Sequence, residues 1–161
     1  MGLDPMTKRV KLTLEELKKA KPLPHIFDSE WQPDPEVFLW VINNISSWKP
    51  KRIKGLHGRL IEPIPFKDGL TYDAIAIKPD DTLYLVDAAA HAILYESDGT
   101  KTAENIIIML FNEMVEVLEK NEPDNPLVKS IRKGKSDENI ESMFYVFYRH
   151  LAMLKKEGLI E

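Results

Sequence analysis

The run from Tyr72 to Tyr95, YDAIAIKPDDTLYLVDAAAHAILY, constrains the fold more than any other stretch of this chain. Ile75 and Ile77 alternate ahead of Pro79-Asp80-Asp81, and Leu83 and Leu85 alternate after it, the pattern of two strands joined by a tight turn. A three-residue loop pairs position 73 with 87, 75 with 85 and 77 with 83, which puts all four aliphatic side chains on one face. A register slipped by one residue would send the apolar residues of the two strands to opposite faces, which a half-buried sheet disfavours. The same register sets Asp73 beside Asp87 at the open end of the hairpin.

Helix signals flank this hairpin. Thr13-Leu-Glu-Glu16 has the form of a capping box, and the helix it opens is stopped by Lys21-Pro22-Leu23-Pro24. An irregular connector follows to Gln32, with Ile26, Phe27 and Trp31 as buried anchors. Asp34-Pro35 starts a second helix, with proline at its first position, and Val37, Phe38, Val41, Ile45 and Trp48 lay an apolar stripe along it. Lys51 to Phe66 reads as a strand region. Its glycines, Gly55 and Gly58, point to a bulge or close backbone contact, and its prolines, Pro63 and Pro65, to an edge or a strand end. Lys67-Asp-Gly69 is a turn.

Beyond Asp87, the segment His91 to Tyr95 is expected to extend the third strand or to form a fourth, with Ser97-Asp-Gly99 closing the sheet. The remainder reads as helical. Thr102 caps a helix through Asn121, with Ile107, Leu110, Phe111, Met114, Val117 and Leu118 on one face. Asn125-Pro126 starts a short helix that Gly134 ends. Ser136-Asp-Glu starts the last helix, whose stripe is Ile140, Met143, Phe144, Phe147, Leu151 and Leu154, with Gly158 as its stop. Two helices, three or four strands and three helices in that order indicate an α+β fold. Its sheet has three to four strands, mainly antiparallel, with helices packed before and after it.

The 161 residues suit one domain with a sizeable core, spanning 6–161. Met1 to Pro5, ahead of a second Met6, read as the remnant of an expression vector. No apolar run approaches the roughly 18 residues that cross a bilayer, and no signal-peptide h-region is visible, so the expected compartment is the cytoplasm. The absence of cysteine removes disulfides, thiolate metal sites and cysteine nucleophiles. Together with Lys- and Glu-rich helices it fits a thermophile. The formal net charge of −4 argues against a nucleic-acid coat protein, though not against a local basic patch. Glycine-rich phosphate loops, nucleophile elbows and HExxH zinc motifs are all missing.

Asp73 and Asp87 are the chemical signal worth following. Like charges opposite one another in a sheet repel, so solvent, a raised pKa or a shared cation has to offset them. Magnesium or manganese suits hard carboxylate oxygens. The plainer reading has both aspartates facing water, one after a turn and one at a strand end.

A helix followed by a three-strand meander, with YDAIAIKPDDTLYLVDAAA at its centre, resembles the core of the PD-(D/E)XK nuclease superfamily. The resemblance spans roughly residues 33 to 120 in layout and two residues in chemistry. It implies that Asp73 and Asp87 bind a divalent metal, Mg2+ or Mn2+, which activates water for phosphodiester cleavage. Where the family places its lysine, this chain has Ala89, so the resemblance implies a nucleic-acid-binding domain with cleavage impaired or absent. His91 shares a face with Asp87 on a straight strand, as a substitute ligand or base, or else is simply packed or exposed. Glu36 and Glu62 are candidates for a further acid, or surface residues.

A basic cluster, Lys49, Lys51, Arg52, Lys54, His57 and Arg59 beside Trp48, reads either as a phosphate grip with Trp48 stacking on a base or as a solvated strand edge. Lys129, Arg132, Lys133 and Lys135 form a second cluster, at a helix C-terminus where cations suit the dipole. Tyr145 and Tyr148 flank the last apolar stripe and could mark a homodimer contact. The alternative to a nuclease-like domain is therefore a non-catalytic α+β interaction or regulatory protein, in that reading a homodimer through its helices.

Overall fold

The structure is a computed structural model, and it describes residues 9–134 and 138–161. The vector remnant expected over Met1 to Pro5 lies outside the described residues. So do Lys135 and the proposed start of the last helix at Ser136 and Asp137.

Thr13 caps α1 (Leu14–Lys19): its side chain accepts from Glu16 N–H, and the Glu16 carboxylate accepts from Thr13 N–H, the expected reciprocal box. The chain then enters β1 (Lys21–Pro22), a two-residue strand too short to leave a periodic signal in the sequence. Asp34 caps α2 (Pro35–Asn44) through hydrogen bonds from Glu36 and Val37 N–H, with Pro35 at its first position. The meander follows as β2 (His57–Pro65), β3 (Thr71–Ile77) and β4 (Leu83–Val86). Four helices complete the fold: α3 (Ala88–Glu96), α4 (Ala103–Asn121), α5 (Pro126–Arg132) and α6 (Glu138–Lys156).

The sheet order is β1-β4-β3-β2. Both meander pairings are antiparallel and β1 runs parallel to β4, so this is an α+β fold with a mixed, mainly antiparallel sheet. The hairpin register is the expected one: Ile75 opposes Leu85 and Ile77 opposes Leu83. Lys78 N–H donates to Thr82 O at 2.9 Å around the three-residue loop, and Asp81 takes φ +69° to close it. β2 lies at the sheet edge, where its prolines leave no central ladder bond unmade, and its register shifts between Leu60 and Ile64.

Two apolar layers sandwich the sheet. Ile75, Leu83 and Leu85 join Ile61 on one face, covered by Val10, Leu12 and Ala20 from the N-terminal segment. Ala74, Ala76, Tyr84 and Val86 face the larger core built with α2, α3, α4 and α6. The short alanines of β3 let the helices approach closely.

Three expectations need correcting. His91 to Tyr95 is helix, not strand, because Asp87 caps α3 by accepting from Ala90 N–H at 2.8 Å and three alanines follow as strong helix formers. Phe27 is half exposed rather than a buried anchor, whereas Ile26 is buried. In α4 the inward stripe takes Ile106 and Val115, and Val117 is left exposed on its flank.

Gly55 has φ +85°, and a Cβ there would stand 2.9 Å from Pro79 Cγ in the hairpin loop. Gly55→Ala is therefore expected to destabilise the protein by about 1–2 kcal/mol, through strain and a forced contact. Urea denaturation of the two proteins checks this, with a shifted midpoint at unchanged m-value as the expected result.

Candidate functional site

The most polar part of the interior is assembled around Asp87, which is 2% exposed. Its Oδ1 accepts from Ala90 N–H at 2.8 Å and its Oδ2 from Ile26 N–H at 2.7 Å. His150 Nε2 lies 3.2 Å from Oδ1 and 3.1 Å from Oδ2, so the ring donates from Nε2 to the carboxylate. Burial pushes the Asp87 carboxyl upward, but the His150 ring and the N–H donors outweigh it and hold the group below the usual carboxylate range.

His25 completes the cluster from the connector. Its Nδ1 is 3.9 Å from Asp87 Oδ2, too far for a hydrogen bond. Instead, Nδ1 accepts from Phe27 N–H at 3.2 Å while Nε2 donates to Thr71 O at 3.0 Å, an arrangement that fits the neutral ring. Nearby, Tyr72 Oη donates to Leu23 O at 2.8 Å. The His25–Thr71 and Tyr72–Leu23 bonds tie the connector to β3.

Asp73 is placed differently. It alternates with Ile75 and Ile77, on the face covered by the N-terminal segment. Thr71 Oγ1 donates to its carboxylate at 3.1 Å, and Arg9 Nη1 lies 3.8 Å away. Arg9 also donates to Ile61 O and Asp73 O. The two aspartates thus have separate partner sets, Asp73 from the N-terminal side of the sheet and Asp87 from the helical side. Among the described residues no group of three or more His, Asp or Glu could hold a metal ion.

Both acids nevertheless border one open cleft of about 470 Å³, between the connector, the turn before β3, the first turns of α3 and the middle of α4. Ala88, Ala89 and Ala92 create the concavity, since larger side chains there would fill it. Leu110, Met114, Val117 and Phe147 form the apolar wall, and Glu113 stands at the exposed rim. Lysine and arginine are absent from the lining.

The other candidates disperse. His91 is buried in α3, where its N–H donates to Asp87 O, and its ring borders a separate small cleft with Leu60 and Tyr95. The face it was expected to share with Asp87 on a straight strand does not exist, because the backbone there is helical. Glu36 and Glu62 are exposed.

The basic cluster divides by role. Arg52 donates to Leu94 O and Tyr95 O at the C-terminal end of α3, and Arg59 pairs with Glu16 at 2.8 Å. Lys49, Lys51 and Lys54 are exposed. Asp87 and Arg52 therefore sit at opposite ends of a nine-residue helix, roughly 13 Å apart along its axis at 1.5 Å per residue. Trp48 is engaged within the chain: it packs edge-on against Trp40 and under Lys155, and donates from Nε1 to Glu161 O. In α5, Lys129 and Arg132 lie on the last turn and Lys133 is the C-cap, and Arg132 donates to Pro123 O ahead of the helix. Tyr145 is exposed and packs edge-on against Phe38, whereas Tyr148 is half-buried.

The buried polar residues His25, Arg149 and His150 are absent from the sequence-based site. A signal for His150 existed, since it falls three residues after Phe147 and four before Leu154, a polar residue on the apolar stripe. His25 lies between prolines in an aperiodic segment and gives none. No protein-family model matches this chain, and no curated protein or solved structure is significantly similar to it.

Removing either aspartate separates their roles. Asp87→Ala strands buried donors and deletes a helix cap, with an expected loss of about 3–5 kcal/mol, against less than about 1 kcal/mol for Asp73→Ala. Because the Asp87 pKa is lower in the folded state, its stabilisation is complete above the unfolded value near ~4. It is lost as pH falls through the folded value of about 2. Chemical denaturation of the parent and the Asp87 variant across pH 2 to 5 checks both, the variant losing this part of the acid dependence.

Proposed function

We propose that this protein is a non-catalytic α+β binding domain whose cleft between α3, α4 and the connector takes a small apolar ligand. One observation carries this reading: both carboxylate oxygens of Asp87, the buried acid of the cleft, already accept hydrogen bonds from Ile26, Ala90 and His150. A carboxylate saturated by its own fold is a structural anchor, and using it as a metal ligand or base would uncap α3 and strand those donors. The cleft volume lies within the range of roughly 300–1,000 Å³ typical of small-molecule sites. Its walls are largely apolar, with Asp73, Thr71 and Glu113 as the polar groups that would orient a ligand. A homodimer through the helical face belongs to the same reading, and sedimentation velocity would reveal it.

The nuclease-like reading is the alternative, favoured by the fact that Asp73, Asp87 and Ala89 border one cleft. In it Asp73 and Asp87 would hold Mg2+ or Mn2+, which would activate water, and the exposed Lys49, Lys51 and Lys54 would meet nucleic-acid phosphates. Against it stands the acidic lining, which repels phosphates unless a cation intervenes.

The two readings predict opposite results. In the binding-domain reading, the neutral dye Nile red gains fluorescence in the cleft and Ala89→Phe, which fills it, reduces that gain at least about tenfold. Calorimetry with magnesium or manganese gives no heat that Asp73→Ala removes, and Ala89→Lys gains no metal-dependent DNA cleavage. Metal binding abolished by Asp73→Ala, or cleavage by Ala89→Lys, would transfer the assignment to the nuclease-like reading.

A further inference from the structure

Arg149 is a buried cation without an ion pair of its own: its charge reaches the Asp28 carboxylate, but that acid is paired with Lys67. Arg149 is 6% exposed, yet no carboxylate lies within 4 Å of its guanidinium among the described residues. Its Nη1 donates to Trp31 O at 2.8 Å, and its Nη2 to Ile26 O at 3.2 Å and Asp28 O at 3.4 Å. Its Nε–H has no hydrogen-bond partner. The Trp31 and Tyr145 rings, with centroids 5.4 and 5.7 Å from Cζ, supply the remaining attraction. The Asp28 carboxylate is itself engaged, 3.2 Å from Lys67 Nζ. Carbonyl oxygens and ring faces offset only part of the cost of burying a full charge, which ordinarily calls for an anion.

That arginine lies against a second open cleft, of about 540 Å³, which shares only Ile26 and Phe27 with the apolar one. Ser29 and Gln32 from the connector and Ser142 from α6 contribute further hydrogen-bonding groups, and Tyr145 and Val146 an apolar wall. Glu141 is the acid of the lining, exposed at the rim.

We propose that this cleft binds a small organic oxyanion, a carboxylate or phosphate group on an aromatic or apolar body. Arg149 acts as its counter-charge, Ser29, Gln32 and Ser142 as hydrogen-bond donors, and Tyr145 as the surface against which the body packs. The site is separate from the Asp87 cleft and does not depend on what occupies that one. Guanidinium suits the planar recognition of either anion.

The test is an NMR titration of the whole protein with benzoate, phenyl phosphate and uncharged benzamide. The expected result is saturable shifts of the Ser29, Gln32 and Ser142 amides with at least one anion, at least about tenfold tighter than with benzamide, the factor of one charge-assisted hydrogen bond. The tighter anion identifies the carboxylate or phosphate class. Arg149 also holds the connector, so the discriminating variant is Ser142→Asp, which puts a carboxylate at the exposed mouth without touching the core. It is expected to weaken the anion at least about tenfold at unchanged melting temperature, and Glu141→Gln to tighten it. Saturation by neither anion, equal binding of benzamide, or anion binding indifferent to Ser142→Asp would each overturn the proposal.

Discussion

Donors from three distant parts of the chain converge on one carboxylate. Ile26 in the connector, Ala90 at the start of α3 and His150 on α6 all meet Asp87, which is sealed from solvent. Residues 61 and 63 positions away in sequence are thereby fixed to the end of β4. The Asp87 side chain terminates the strand, starts the next helix and pins two other elements at one point. Apolar packing alone does not specify such a junction, because apolar contacts are non-directional, whereas a carboxylate with three donors accepts only one arrangement.

The connector is the element most affected. Residues 23 to 32 have no helical or strand periodicity, and on sequence grounds only Ile26, Phe27 and Trp31 offer to anchor them. Instead, Leu23 N–H donates to Leu85 O, Tyr72 Oη to Leu23 O and His25 to Thr71 O, while Arg149 donates to the carbonyls of Ile26, Asp28 and Trp31. The segment is held by its backbone, so its side chains are free to line surfaces. Ile26 and Phe27 do so on both clefts. The small alanines of α3 and the flank of α4 supply the rest of the apolar cleft, and α6 supplies the rest of the other.

The resemblance to a metal-dependent nuclease core rested on two aspartates brought opposite one another by strand register. The register is as expected, through Ala74 and Val86. The chain leaves the sheet at the next residue, and the side chains then separate. Asp73 keeps its place in the alternation and meets Thr71 and Arg9, while Asp87 turns to cap α3. Register fixes which backbones are neighbours, but at a strand end it does not decide where a side chain points. A helix N-terminus offers unsatisfied N–H groups that attract a carboxylate more strongly than a neighbouring anion repels it.

Local chemistry was legible from the sequence alone: the Thr13, Asp34, Thr102 and Asn125 caps, the stop at Gly158, the hairpin with its three-residue loop, and the edge position of the proline-bearing strand. Each depends on residues within a few positions of one another, where propensity and periodicity act directly. Tertiary structure decided what depends on long-range company. It added β1 to the sheet and spread the arginines of the basic cluster into structural contacts with carbonyls and Glu16. It also placed Asp87, His25, His150 and Arg149 together in the interior. Those four residues come from three segments whose sequences carry no mark of one another. Burial makes an unmade hydrogen bond costly, so their partnership exists only once the chain has closed around them.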